Sequence, residues 1–256
     1  MYILITNDDG IDASGLLALV NAAQHRNHRI VVCAPMSQQS AASQRIHINS
    51  PILAEKRNIW DGVESWAIAG TPADCVRLAF ELIDVKPDIC FSGINNGENA
   101  GSAVYYSGTF SAAREAAMHN IPSFSVSIMP GADMTMLDAL ADLSLYIAEK
   151  SRLEAFPRLS VININAPAIS PDEWKGLKHA TVSQAFYLDR YEHRISPRNQ
   201  HYFWLANGLP MEPPDKGSDY DLLFQGYVTL SVVGAYSNLN YLSDTFLPPT
   251  VFDPEC

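Results

Sequence analysis

Four short polar runs in this chain carry residue types that could do chemistry. The first, Asn7-Asp8-Asp9-Gly10, places two adjacent carboxylates beside a glycine. Adjacent carboxylates repel, and a shared divalent cation with oxygen ligands (Mg²⁺, Mn²⁺ or Ca²⁺) relieves that repulsion most simply. Gly10 lets the backbone turn tightly beside such an ion. A plain turn followed by a helix cap would use the same residue types. The second run, Ser92–Gly101, holds three asparagines and three glycines in ten residues. It is poor helix and poor strand, and it offers side-chain carbonyls to a metal and bare amides to a phosphate. In the third, Tyr105–Thr109 leads into an alanine-rich segment. A helix starting there would present unpaired amides and a positive dipole end to an anion, with Ser107 and Thr109 as added hydroxyl donors. Either hydroxyl could equally serve as a simple cap. The fourth, Pro35–Ser43, is small and polar, with Ser40 its candidate ligand.

The elements that must position these runs follow from periodicity. Residues 2–6, 29–34, 88–92, 123–128 and 160–164 are short apolar runs typical of strands buried on both faces. Helical spacing predicts helices over about 14–26, with Asp12 or Ser14 as N-cap, and over about 108–119 and 135–150. Thr71-Pro72-Ala73-Asp74 opens another helix, with Thr as cap, Pro in the first turn and Asp three residues on. Alternating strands and helices imply an α/β fold, a mostly parallel sheet flanked by helices on both faces. The first, second and fourth runs then follow strands directly, at the carboxyl ends where such sheets bind ligands. After about residue 166 prolines break the pattern. Residues 179–194 and 202–206 look like hairpin strands, and 227–233 is a strand that could rejoin the sheet. We expect one domain over 1–256, with a core over 1–166 and a β-rich C-terminal extension over 167–256 that serves as an oligomerisation arm. The Pro-rich segment 207–219 reads as a lid or a linker.

Composition narrows the function classes. The chain has 256 residues, 17 basic against 28 acidic, for a net charge of −11. That sign repels nucleic-acid polymers, whereas a small phosphorylated substrate stays possible if a cation or backbone amides supply local positive potential. Cys33, Cys75, Cys90 and Cys256 form no CxxC pair, and the first three lie in apolar runs, as reduced core residues of a cytoplasmic protein do. The start, MYILITNDDG, is too short and polar for a signal peptide, and no apolar run reaches the ~20 residues of a membrane span. No GxGxxG, GxxxxGK[ST] or GxSxG motif occurs, and no two histidines stand at zinc-ligand spacing.

Taken together, the runs resemble the SurE family, stationary-phase survival proteins with nucleotidase activity. The resemblance rests on Asn7–Gly10, Gln39–Ser43, Gly70–Val76, Ser92–Gly101, Tyr106–Glu115 and Gly226–Ser231, six motifs in the family's order. It implies a SurE-like, Rossmann-like fold whose extended C-terminal hairpin is exchanged between subunits, giving a homodimer or homotetramer. It also implies 5′- and 3′-nucleotidase activity and cleavage of short polyphosphate, with a divalent metal, Mg or Mn, as cofactor. By motif position the implied metal ligands are Asp8, Asp9, Ser40 and Asn95. The implied phosphate-contacting residues are Asn99, Ser107, Gly108 and Thr109. Asn96, next to the ligand asparagine, is not assigned. Ala41 stands where the family usually has glycine, and Ser14 where proline is common; neither change removes a ligating group.

With this ligand set, the attacking group would be an activated water or the carboxylate of Asp8 or Asp9 itself. A Ca²⁺-dependent nucleoside hydrolase also clusters aspartates after its first strand, but only Asp12 follows the pair here. A non-catalytic nucleotide-binding protein on the same fold is the third class.

Overall fold

The computed structural model describes residues 1–206 and 212–236. β1 (Tyr2–Thr6) is buried along its whole length. Its side chains alternate between two cores, Ile3 and Ile5 on one face, Tyr2 and Leu4 on the other. α1 (Ser14–His25) leads to β2 (Arg29–Pro35), parallel to β1. Two strands then extend that side, β3 (Ala54–Arg57) and β4 (Glu64–Ile68). After α2 (Pro72–Leu82) the chain crosses to the other side of β1 and enters β5 (Ile89–Asn96). A short turn of helix, α3 (Ala103–Tyr106), precedes α4 (Gly108–Met118). β6 (Ser123–Ile128), α5 (Met134–Lys150) and β7 (Ser160–Ala166) complete the parallel part. In the extension, β8 (Leu177–His179), β9 (Tyr191–Ile195), β10 (His201–Leu205), α6 (Asp219–Phe224) and β11 (Val228–Gly234) follow.

Nine strands make one sheet in the order β3-β4-β2-β1-β5-β6-β7-β11-β8. The stretch from β4 to β7 is parallel, while β3 and β11 run antiparallel to β4 and β7. The α/β class read from periodicity therefore stands. One face is covered by α1 and α5, which pack together, and the other by α2 and α4. Connections leave β1 toward β2 and return to β5 on its opposite side, so β1 and β5 flank a topological switch point. That is where an open α/β sheet leaves a crevice at the carboxyl ends of its strands. Among the described residues no helix is long and apolar enough to cross a membrane.

Several expectations are corrected. α1 has Ala13 as N-cap with no side-chain cap bond, not Asp12 or Ser14. The turn before it is closed instead by Asn7, whose side chain bonds the Gly10 carbonyl and amide at 2.8 and 3.2 Å. β5 runs on to Asn96, so the first half of the Asn/Gly-rich run is strand. β3 and β4 have no counterpart among the expected strands. The long strand expected over 179–194 does not form: Leu177–His179 pairs with β11, and the hairpin proper is β9–β10. Part of the Pro-rich segment and Cys256 lie outside the described residues. Cys33, Cys75 and Cys90 are free and buried.

The start of α2 is as expected. Thr71 caps it and accepts from the Asp74 amide at 3.2 Å, while Asp74 accepts from the Thr71 amide at 2.9 Å. Asp74 also takes the His47 amide at 3.0 Å and faces the His47 Nδ1 at 2.6 Å. Burial raises the Asp74 pKa, but the bonds from His47 and Thr71 outweigh it and hold the carboxyl below its usual value. A depressed carboxylate stabilises the fold above its unfolded pKa and loses that stabilisation as pH falls through its folded one. We therefore expect Asp74→Ala to cost about 3 kcal/mol at pH 7, more than a cap alone. In urea titrations the gap between variant and wild type should shrink progressively below about pH 4.

Candidate functional site

Loops after β1, β2 and β5 and the start of α4 converge on one cavity of about 230 Å³. Asp8, Asp9, Ser40, Asn95, Asn99 and Ser107 all line it, with Gln38, Asn96 and Tyr106 beside them. Six of the eight residues singled out in the sequence thus meet at one place. Gly108 and Thr109 do not line it; they stand behind Asp8.

Asp8 is buried at the end of β1. The hydroxyl of Thr109 donates to its Oδ1, and the Thr109 amide faces it as well. Thr109 is fully buried. Its hydroxyl is therefore committed to a carboxylate and not free for phosphate. Gly108 explains how α4 comes so near: a Cβ there would lie 2.8 Å from the Asp8 Cβ and 2.9 Å from its Oδ2. Burial pushes the Asp8 carboxyl up to about 6, against the Thr109 hydrogen bond and with help from the Asp9 charge. Asp9 is only half-buried, and burial raises it too. Its oxygens face Gln38 Nε2 and the Asn96 amide, each at 3.4 Å.

Asn95 donates its Nδ2 to the Gly97 carbonyl at 2.6 Å, which leaves Oδ1 as the atom available to the cavity. Ser40 is exposed at the rim. Its loop is tied by the Gln39 amide to the Asp8 carbonyl at 2.8 Å and by Ser43 to the carbonyls of Tyr105 and Tyr106. Ala41 adopts φ +55°, the left-handed region that glycine occupies without penalty. Ser107 is the N-cap of α4 and accepts from the Phe110 amide at 2.9 Å. As acceptor it keeps its own proton to donate, so capping and anion binding are compatible in one side chain.

Asn99 is held by residues that sequence reasoning missed. Its amide bonds Asn165 Oδ1 and its Nδ2 bonds Ser127 Oγ, both at 2.8 Å. Its carbonyl accepts from Asn163 Nδ2 at 2.8 Å. The available signal was Asn163 and Asn165 two apart in an otherwise apolar strand, hence on one face. Oxygen donors only, two of them carboxylates, suit a hard divalent cation such as Mg²⁺ or Mn²⁺. Among the described residues no group of three or more His, Cys, Asp and Glu side chains is placed to hold a metal. An ion here must therefore draw on the amide and hydroxyl oxygens of Asn95 and Ser40.

The family described as Survival protein SurE matches residues 3–189. The chain belongs to the SurE family. A SurE relative from Thermosipho africanus, named 5′-nucleotidase SurE, is 34% identical over 94% of this chain and 95% of its own. One of the same name from Petrotoga mobilis is 37% identical over 92% and 94%. The crystal structure of the SurE protein from Aquifex aeolicus superposes with a TM-score of 0.79 at 30% identity, covering 99% of this chain and all of that one. The family match takes in every lining residue of the cavity and ends before α6 and β11.

The Asp8 environment has a measurable sign. A carboxyl whose folded pKa is raised stabilises the fold below its unfolded pKa, and that stabilisation is lost as pH rises through the folded one, here from about 4 to about 6. Without added metal, Asp8→Asn should raise stability at pH 7 by roughly 2–3 kcal/mol and flatten the fall between about pH 4 and 6. Lower stability of the variant at pH 7, measured by thermal unfolding in chelator, would contradict this account of Asp8.

Proposed function

We propose that this protein is a divalent-metal-dependent phosphomonoesterase of the cytoplasm. It removes phosphate from nucleoside 5′-monophosphates, with 3′-monophosphates and short polyphosphate as further substrates. The observation that carries this is the convergence of Asp8, Asp9, Ser40 and Asn95 with Asn99 and Ser107 on one small cavity. The 5′-nucleotidase names of the relatives support the substrate class. Asp8, Asp9, Ser40 and Asn95 would hold Mg²⁺ or Mn²⁺. When bound, such an ion offsets charge on the phosphoryl group and acidifies water.

The remaining work falls to the chain. Asn99 and Ser107 would bind phosphate oxygens, helped by the dipole of α4. Gly108 and Thr109 serve this anion through Asp8, which they hold in place. Because Thr109 grips one oxygen of Asp8, water is a better nucleophile than a swinging Asp8 carboxylate. A second cavity, about 400 Å³, opens on the other side of Asp9 and Asn96 and is lined by Ser14, Ala132, Met134 and Leu137. It offers the leaving nucleoside half-apolar room beside the phosphate. With only two carboxylates at hand, the site suits phosphate transfer to water better than the aspartate-rich site of a nucleoside hydrolase.

We also infer that the protein works as a homodimer or homotetramer joined through the C-terminal extension. Every residue of β9 and β10 is exposed, including Tyr191, Phe203, Trp204 and Leu205. An apolar hairpin of that kind is a surface for a second copy. The net charge of −11 argues against a nucleic-acid polymer as partner.

Phosphate release from nucleoside monophosphates, followed with EDTA, Mg²⁺, Mn²⁺ or Ca²⁺, tests the activity. It should require a divalent ion and fall by at least about a hundredfold in folded Asp9→Asn. No release by folded protein with any ion would sink the proposal. For the nucleoside room, Ser14→Trp should raise KM for nucleotides about tenfold while inhibition by orthophosphate stays unchanged. Equal weakening of both would remove that cavity from the substrate site.

A further inference from the structure

The segment from Asn95 to Ser102 carries one proposed metal ligand, Asn95, and one proposed phosphate-binding residue, Asn99, and it is gripped from both sides. On the inside, Asn163, Asn165 and Ser127 hold Asn99. On the outside stands the C-terminal extension. Asp219, the first residue of α6, is fully buried. One of its oxygens accepts the Gly101 amide at 3.0 Å; the other accepts the amides of Ser183 and Tyr220 at 2.8 and 2.9 Å. The Tyr220 ring lies over Gly101, which has φ +50°, and a Cβ there would fall 2.7 Å from that ring. Nearby, the Tyr187 hydroxyl donates to Glu98 Oε1 at 3.1 Å, and the Ser102 amide donates to the Ala185 carbonyl at 3.4 Å.

Asp219 does not line the cavity, and no Lys, Arg or His forms an ion pair with it among the described residues. Burying a carboxylate is costly, and here the compensation comes from backbone amides of three separate segments. A neutral amide cannot replace it. One side of an asparagine would turn an NH₂ group toward amide donors and leave at least one of them unpaired. Burial raises the Asp219 pKa, and the amides of Gly101, Ser183 and Tyr220 pull it back toward the charged, accepting form.

We propose that Asp219 is a positioning residue for phosphate binding: by clamping Gly101, two residues beyond Asn99, it makes the C-terminal extension the outer wall of the site. This rests on the phosphatase reading. The same clamp ties residues 183–187, just before the exposed hairpin, to the loop that holds the substrate. Subunit contacts on that hairpin therefore act on a segment fastened directly to the site.

Asp219→Asn and Tyr187→Phe test the clamp, with Leu145→Ala, in the core beneath α5, as a control of stability alone. Asp219→Asn should speed amide exchange at Gly101 and Ser102 roughly tenfold to a hundredfold. It should raise KM for a nucleoside monophosphate about tenfold and change kcat much less. Tyr187→Phe, at a partly exposed position that does not threaten folding, should raise KM about twofold. Leu145→Ala should lower the melting temperature yet keep the wild-type KM. Unchanged exchange at 98–102, or a KM for Asp219→Asn no higher than that of Leu145→Ala, would overturn the role of Asp219 and leave the phosphatase reading intact. A wild type inactive with every ion would instead overturn that reading and this role with it.

Discussion

Asp8 lies buried where β1 ends, and no lysine or arginine lines the cavity it faces. A carboxylate in that position needs compensation from something other than a cationic side chain. The fold supplies part of it through the start of α4, where the Thr109 hydroxyl and amide both turn to Asp8. This contact dictates other choices. Gly108 can carry no side chain, because one would collide with Asp8. Asn7 must close the turn that aims the next residues, since α1 has no capping side chain of its own. The loop after β2 docks on the Asp8 carbonyl and so brings Ser40 to the rim.

The same balance of charge bears on the substrate. A chain of net charge −11 with two carboxylates at its cleft is an unwelcoming host for a phosphate dianion. What overcomes this must be local. A divalent ion at the oxygen cluster is the largest single charge the site could hold. The helix start at Ser107 adds a fixed partial positive charge that needs no side chain. Neutral amides from Asn95 and Asn99 add polar contacts without adding a charge of either sign. If such a cation is bound there, as the proposed function holds, metal occupancy would itself be a condition for substrate binding.

Much of this was legible in the chain. The buried strands and their helices announced themselves by period, because a parallel sheet covered on both faces needs continuous apolar strands. The turn-rich runs after them stood out because asparagine, aspartate and glycine have few other reasons to cluster. β3 escaped notice for the converse reason: Ala54–Arg57 is an exposed edge, and its Glu, Lys and Arg look like a loop. The Asn163 and Asn165 network was visible as two polar residues on one strand face, yet strands tolerate such residues and the pattern names no partner. Asp219 was invisible, since its bond to Gly101 spans 118 residues and it closes the proline-rich segment 207–219. Local pattern predicts what a segment becomes, whereas a long-range clamp depends on which segments meet.

The walls of the cavity also differ in how firmly they are held, and this bears on how the site works. Asp8 and Asn99 are buried and bonded on several sides, so their positions are fixed before any ligand arrives. Ser40 is exposed, and the residue after it sits in a conformation that a side chain disfavours. Its loop is pinned at Gln39 and again at Ser43, which leaves a span of three residues between the anchors. A span so short cannot swing as a lid, but it can shift by one hydroxyl. The site is therefore rigid where it must resist the repulsion of two carboxylates and adjustable at its outermost ligand. In the proposed metal site, that division would let one fixed frame accept ions of different radius, with Ser40 taking up the difference.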